Sequence, residues 1–329
     1  MLVAMILVGG LTRLTDSGLS ITEWKPITGA LPPLSATDWQ SEFHKYQQIP
    51  EFLLQNSTMS LAEFQSIYWW EWGHRLLGRL IGLVVAIPLA VFWILGFFDR
   101  PLKIRLVILF LLGGFQGFLG WWMVSSGLGG LGALLDVSPY RLVIHLGMAL
   151  LILSISQWTW LDVARTSQRA NWQPVGKIGR YSVGLLGLLY LQILLGGFVA
   201  ANDGGLVANT WPLIEGGLVP QSYGDLSPFW RNGFETPLIA QFQHRIGAYL
   251  VLIFALAFGW ASLAQKTSEL RHSGIWIVGL IGLQVVLGIW TLLAVSPIYL
   301  AIAHQFLALL TFMAMVNAAH GFSKIQRTS

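Results

Sequence analysis

Trp69-Trp70-Glu71-Trp72-Gly73-His74-Arg75-Leu76-Leu77-Gly78-Arg79 opens an apolar run that continues to Phe98, yet it puts a carboxylate, an imidazole and two guanidiniums where hydrocarbon should begin. Glu71 and His74 are three residues apart, so on an α-helix they share a face and point into the same space. Ionisable groups at the start of a membrane span are costly unless they are paired or used, which marks the stretch as a functional candidate.

The rest of the chain supports a membrane setting. Of 329 residues, 55% are hydrophobic and only 10% charged, and the mean hydropathy is +0.64, well outside the range of soluble domains. Sixteen Trp and 36 Gly suit interfacial aromatics and close helix packing. The net charge of +4 comes mainly from loops and reads as a topology signal, with no nucleic-acid footprint. The absence of Cys excludes disulfides, thiolate metal sites and Cys nucleophiles.

Apolar spans follow at about 69–98, 104–125, 140–161, 180–201, 238–264, 273–295 and 298–322, and a short first one over residues 1–12 makes eight. Twelve residues fall short of the roughly 20 that a spanning helix needs, so the first helix is expected to begin earlier than Met1. No cleavable signal or transit peptide is expected there, because the segment lacks a basic start. Between the first two spans, Ser60-Leu61-Ala62-Glu63 has the form of a capping box, so the second helix should start outside the membrane and enter near Trp69. Ala36 to Gln48 carries Trp39, Phe43 and Tyr46 at helical spacing, either an amphipathic helix lying on the membrane or a lid.

Positive charge fixes the orientation. Arg100, Lys103 and Arg105, then Arg165, Arg169, Lys177 and Arg180, then Lys266 and Arg271, and finally Lys324 and Arg327 occupy alternate connections and the C-terminus, which places those on the cytoplasmic side. The stretch 13–71 has three basic residues against seven acidic ones, and 202–237 has Arg231 against four, so both long loops face outward.

An internal duplication underlies this layout. Adding 187 takes Gly9-Gly10 to Gly196-Gly197, Asp16 to Asp203, Gly18-Leu19 to Gly205-Leu206, Trp24 to Trp211, Gly29 to Gly216, Leu31 to Leu218 and Pro33 to Pro220, an ungapped match over 25 residues. Further on, His74-Arg75 pairs with His244-Arg245 (offset 170), Gln116, Gly120 and Trp122 with Gln284, Gly288 and Trp290 (offset 168), and His145 with His304 (offset 159). The expected architecture is an all-α polytopic membrane protein of eight transmembrane helices in two tandem pseudo-symmetric four-helix bundles. Residues 1–165 form one half, with the long outer loop 13–68, and residues 175–325 the other. Four spans per half keep both in one orientation, related by an axis along the membrane normal.

Of seven histidines, four occupy duplicated places: His74, His145, His244 and His304. Pro139 precedes His145 by six residues, and Pro237 and Pro297 precede His244 and His304 by seven. At about 1.5 Å per residue each imidazole lies roughly 10 Å inside the outer boundary. One such histidine alone reads equally well as an interhelical hydrogen-bonder, but four at matched depth point to two pairs, each gripping a metal from opposite sides. With neither thiolates nor carboxylate clusters at hand, a haem iron is the guest that fits. His44, His272 and His320 read as solvated or interfacial. Gln116 and Gln284 read as bundle hydrogen-bonders, Gly78 and Gly247 as packing glycines, and Arg75 and Arg245 either as snorkelling anchors or as counter-ions for haem propionates.

The halves differ at one position of chemical weight. Three residues before His74 stands Glu71, and three before His244 stands Gln241. A carboxylate can act as a base or steady a developing cation, and an amide of similar shape cannot. Glu71 is therefore the candidate catalytic residue and the first half the reactive one, against a plain i to i+4 pairing with Arg75.

Gly9-Gly10-Leu11-Thr12-Arg13-Leu14-Thr15 to Trp24, Pro32-Pro33-Leu34, Glu71-Trp72-Gly73-His74-Arg75 and the three later histidines are similar in content and order to the haem A synthase family of cytochrome oxidase assembly. The resemblance covers essentially the whole chain and is to the longer-loop, cysteine-free subgroup. It implies oxidation of the C8 methyl of haem O to a formyl group, a haem b cofactor on His244 and His304, substrate haem O near His74 and His145, and catalysis assisted by Glu71. It also implies the bacterial cytoplasmic membrane, or the mitochondrial inner membrane in a eukaryote. The N-terminus would be cytoplasmic and the haem sites would lie toward the outer face. Haem O synthase and an electron-transfer protein are the implied partners, and a homo-oligomer is left open. Two other readings use some of the same features: a dihaem b-type electron carrier, which has no need of the contrast between Glu71 and Gln241, and a transporter, which a parallel repeat also permits.

Overall fold

The structure, a computed structural model, describes residues 1–129, 135–165, 171–174, 176–221, 226–265 and 268–326. It is built of helices: α1 (Leu2–Leu14), α2 (Ala36–Tyr46), α3 (Pro50–Leu54), α4 (Leu61–Ile94), α5 (Arg100–Val124), α6 (Pro139–Arg165), α7 (Gly176–Ala201), a single turn α8 (Asn232–Glu235), α9 (Pro237–Leu263), α10 (Ser268–Leu293) and α11 (Ile298–Gly321). Seven of these, α4 to α7 and α9 to α11, are long and apolar enough to cross a membrane, and the chain is a multi-pass membrane protein. At 13 residues α1 is apolar but short. To this all-helical plan the structure adds one small feature, an antiparallel pair of strands, β1 (Asn171–Pro174) and β2 (Ser323–Gln326). Of the basic residues expected on the cytoplasmic side, Arg169, Lys266 and Arg327 lie outside the described residues.

The helix starts follow from local chemistry. Ser60 caps α4 by accepting from the Glu63 amide at 3.3 Å while Glu63 Oε2 accepts from the Ser60 amide at 2.8 Å, the reciprocal arrangement that satisfies two orphan donors. Asp99 caps α5 by accepting from the Leu102 amide at 2.9 Å, ahead of Pro101. Pro139, Pro237 and Pro297 stand at or just before the first residues of α6, α9 and α11, where the missing N–H costs nothing. Beyond Arg79, Leu83, Val84, Ile87, Val91 and Ile94 of α4 are exposed, the outward apolar face that lipid covers.

The chain divides into two compact units, Met1–Ile152 and Leu153–Ser329. In the first, α4 packs against α1, α5 and α2. In the second, α7 packs on α9, α9 on α10, α10 on α11 and α11 back on α7, closing a ring of four. The repeat is visible in the backbone: Asp16 and Asp203, related by the offset of 187, both adopt the left-handed conformation (φ 48° and 52°), which aspartate tolerates better than most residues.

The stretch between α1 and the middle of α4 has its own core. Tyr46 and Phe64 are fully buried, and Phe43 lies 5.0 Å from Phe64 and 5.8 Å from Phe52 between ring centroids. Trp39 meets Tyr68 edge-on at 5.0 Å. Of the two alternatives for the 36–48 helix, this supports the lid: its aromatic face turns onto α3 and the first turns of α4.

Candidate functional site

Glu71 is 4% exposed and fully engaged. Its Oε2 accepts from the Ser20 hydroxyl and the Ile21 amide, both at 2.7 Å, and its Oε1 from Arg75 Nη2 at 2.5 Å. Arg75 goes on to donate to the carbonyls of Ile21 (2.7 Å) and Glu23 (2.9 Å), and Arg79 to those of Lys25 (2.8 Å) and Pro26 (2.9 Å). One face of α4, at i, i+4 and i+8, therefore holds the loop 20–26 against the helix through charge-assisted bonds, each worth about 1.5–3 kcal/mol. The i to i+4 ion pair exists, as part of this larger clamp. For Arg75, the structure supplies loop carbonyls and Glu71 as partners.

In the second unit the same construction appears with its polarity turned round. Gln241, 3% exposed, donates from Nε2 to the carbonyls of Gly204 (2.8 Å) and Val207 (2.6 Å), and its Oε1 accepts from Arg245 at 2.6 Å. Arg245 also donates to the Ala208 carbonyl at 3.0 Å. Under the offset of 187, Val207 and Ala208 are the counterparts of Ser20 and Ile21. Glu71 receives hydrogen bonds from its loop and Gln241 gives them to its own, so the carboxylate is matched to donors that an amide nitrogen could not face.

Each of the four histidines lies over a glycine of a neighbouring helix. A Cβ built on Gly9 would fall 2.9 Å from His74 Cε1, on Gly120 3.0 Å from His145, on Gly196 3.0 Å from His244, and on Gly288 2.7 Å from His304. Any side chain there would push the ring away. Three of the rings are also held by an amide: the Nε2 atoms of Gln116, Gln192 and Gln284 lie 3.1, 3.0 and 3.1 Å from Nδ1 of His145, His244 and His304, and donate to the carbonyls of the same histidines at 3.0, 2.9 and 3.0 Å. Gln192 escaped the reading of the sequence, although a signal for it exists. Glutamine stands four residues before glycine in Gln116-Gly120, Gln192-Gly196 and Gln284-Gly288, and the fourth counterpart is Met5-Gly9. His74 accordingly has a buried Nδ1 without a hydrogen-bond partner.

These residues fit an iron that a macrocycle already holds by four nitrogens. The rings of His244 and His304 are 6.4 Å apart between centroids with planes crossed at 81°. Two metal–nitrogen bonds of about 2 Å plus two ring radii of about 1.1 Å give about 6.2 Å. The Oε1 atoms of all three bracing glutamines are buried and unpartnered, and a half-turn of each amide would offer an acceptor to an Nδ1–H, the partner that a ligating imidazole needs, in exchange for the bond to the histidine carbonyl. Among the described residues no group of three or more His, Cys, Asp or Glu gathers.

The other histidines lie elsewhere. His320, expected at a wet helix end, is 5% exposed, 3.1 Å from Asp162 Oδ1 and edge-on to Trp158 at 5.2 Å. His272 lines a groove with Trp276 and Asn317, and His44 is exposed on α2.

Among characterised proteins the chain is 51% identical over 318 residues to the "Heme A synthase" of Maricaulis maris, covering 96% of this chain and 91% of that one. It is 47% identical over 320 residues to that of Parvibaculum lavamentivorans, covering 97% and 90%, and 47% identical over 329 residues to that of Dinoroseobacter shibae, covering 97% and 83%. The model of one family, described as cytochrome oxidase assembly protein, matches residues 1–316. With its duplicated His-Arg gates, its paired imidazoles seated on glycines and a match over nearly its full length, the chain belongs to the cytochrome oxidase assembly protein family.

Proposed function

We propose that this chain is a haem A synthase, an oxidoreductase that converts the C8 methyl of haem O to the formyl group of haem A. The observation that carries the reading is near-complete alignment at 47–51% identity with relatives of that name, and the paired imidazoles supply the ligands it needs. The change replaces two hydrogens by one oxygen, with the remaining methyl hydrogen kept as the aldehyde hydrogen, a four-electron oxidation.

In this reading His244 and His304 hold a resident haem b, which when bound supplies one-electron transfer. Gly196 and Gly288 give each ring its seat, and Gln192 and Gln284 fix its rotation. His74 and His145 hold the substrate haem O. Glu71 is the catalytic carboxylate, and the loop 20–26, clamped by Arg75 and Arg79, covers its side of the site and keeps it from bulk water. A carboxylate there steadies positive charge developing at the reacting carbon or carries its proton. The first half, residues 1–165, is then the reactive one and residues 175–325 the cofactor half, in an arrangement of eight spans as two four-helix bundles. The enzyme works in the bacterial cytoplasmic membrane with its N-terminus inside and its haem sites toward the outer face, taking haem O from its synthase and passing electrons to a redox partner.

The decisive experiment is pigment extraction from membranes of cells that make haem O, with and without this chain. A new formyl haem is expected only when the chain is present. Its absence, with haem still bound to the protein, would make the chain a dihaem carrier.

A further inference from the structure

Three of the four histidines have their Nδ1 braced by glutamine, and one does not. His74 Nδ1 is buried with no partner, and the position that the repeat assigns to its brace is Met5 (5 + 187 = 192). Both side chains reach the helix that carries the histidine, about one turn beyond it: a Cβ on Gly78, four residues after His74, would come within 3.3 Å of Met5 Cε, and a Cβ on Gly247, three residues after His244, would run into Gln192 Oε1. A thioether is at most a weak acceptor, so Met5 fills the volume of the brace without its hydrogen bond.

The consequence is chemical. An imidazole whose second nitrogen is hydrogen-bonded is fixed in tautomer and rotation and is a better donor to its metal, and losing such a partner typically costs about 10–100-fold in metal affinity. Within the first pair, His145 retains its glutamine and its glycine seat, while His74 retains only the seat. Resting on the haem reading above, we propose that Met5 is a positioning residue that leaves His74 a weak, releasable ligand, so that haem at the first pair exchanges while haem at the Gln192-braced pair stays. An enzyme that must bind haem O and release haem A needs this difference, and a carrier with two permanent haems does not.

The test uses the full chain in detergent, loaded with ferric protohaem, and follows haem transfer to excess apomyoglobin. Wild type should lose haem in a fast and a slow phase. Met5→Gln should slow the fast phase about 10-fold and lower the midpoint potential of the haem concerned, because an acceptor at Nδ1 favours ferric iron. Gln192→Met should speed the slow phase by a similar factor. Met5→Leu, which keeps the volume and still offers no brace, should match wild type in both measurements. Met5→Gln and Met5→Leu giving the wild-type rates and potential would overturn the assignment of Met5 while leaving the haem reading intact. A wild-type chain that binds no haem would overturn that reading itself.

Discussion

At the scale of single residues the informative comparison is Glu71 with Gln241. Both are buried and both touch an arginine four residues on, but one accepts from its loop and the other donates to it. Glu71→Gln would turn an N–H toward Arg75 or toward the Ser20 hydroxyl and Ile21 amide, a mismatch of about 1–3 kcal/mol, small enough for the fold to survive. The expected outcome is a chain that reaches the membrane with its haem content intact and makes haem A at least ~100-fold more slowly, the usual scale for a lost acid–base group. Haem A at wild-type levels in extracted pigment would remove Glu71 from catalysis and leave it as a loop clamp. The contrast in residue type was legible in the chain. The reversal of hydrogen-bond direction was not, because its partners Ser20 and Ile21 lie 51 and 50 residues away from Glu71.

At the scale of elements, the aromatic cluster formed by α2, α3 and the start of α4 carries a titratable group of its own. Glu51 is 2% exposed, and burial, aided by the nearby Asp136, Asp16 and Glu71 charges, pushes its carboxyl up to about 7 despite the bond it accepts from the Tyr46 hydroxyl at 2.6 Å. A carboxyl raised in the folded state favours folding below its ordinary value of 4.5, and that contribution fades as pH rises through 7. The shift corresponds to about 3 kcal/mol for this cluster at most. Hydrogen-exchange protection factors over residues 36–60, which remove the intrinsic pH dependence of exchange, should therefore be higher at pH 5 than at pH 8, and Glu51→Gln should flatten the difference. Equal protection of wild type at both pH values would show that Glu51 does not change charge between them. The helical spacing of Trp39, Phe43 and Tyr46 foretold the helix, yet periodicity shows that a face is apolar and not what covers it. The contacts with Phe52, Phe64 and Tyr68 settled that point.

At the scale of the whole molecule, the proposed assignment of one histidine pair to a cofactor and the other to the substrate makes the chain respond unequally to loss of each pair. His244→Ala or His304→Ala is expected to abolish a low-spin haem b spectrum, whereas His74→Ala or His145→Ala should keep that spectrum and lose haem A formation. An optical spectrum unchanged in His304→Ala would refute the ligand assignment.

The sequence by itself determined seven of the eight spans expected from it, the capped start of α4, the duplication and the four histidines at matched positions. These depend on local hydropathy, on helix-end chemistry and on the need of a membrane-embedded backbone to satisfy its own hydrogen bonds within each helix, all of which are written within a few turns of chain. Only the tertiary structure decided which groups the polar side chains meet: glycine under every imidazole, glutamine against three of them and Met5 in place of the fourth, and a loop held by Glu71 in one half and by Gln241 in the other. Those pairings join residues 16 to 65 positions apart, where no periodicity reaches, and they depend on how closely helices approach and on which way a single amide or carboxylate turns.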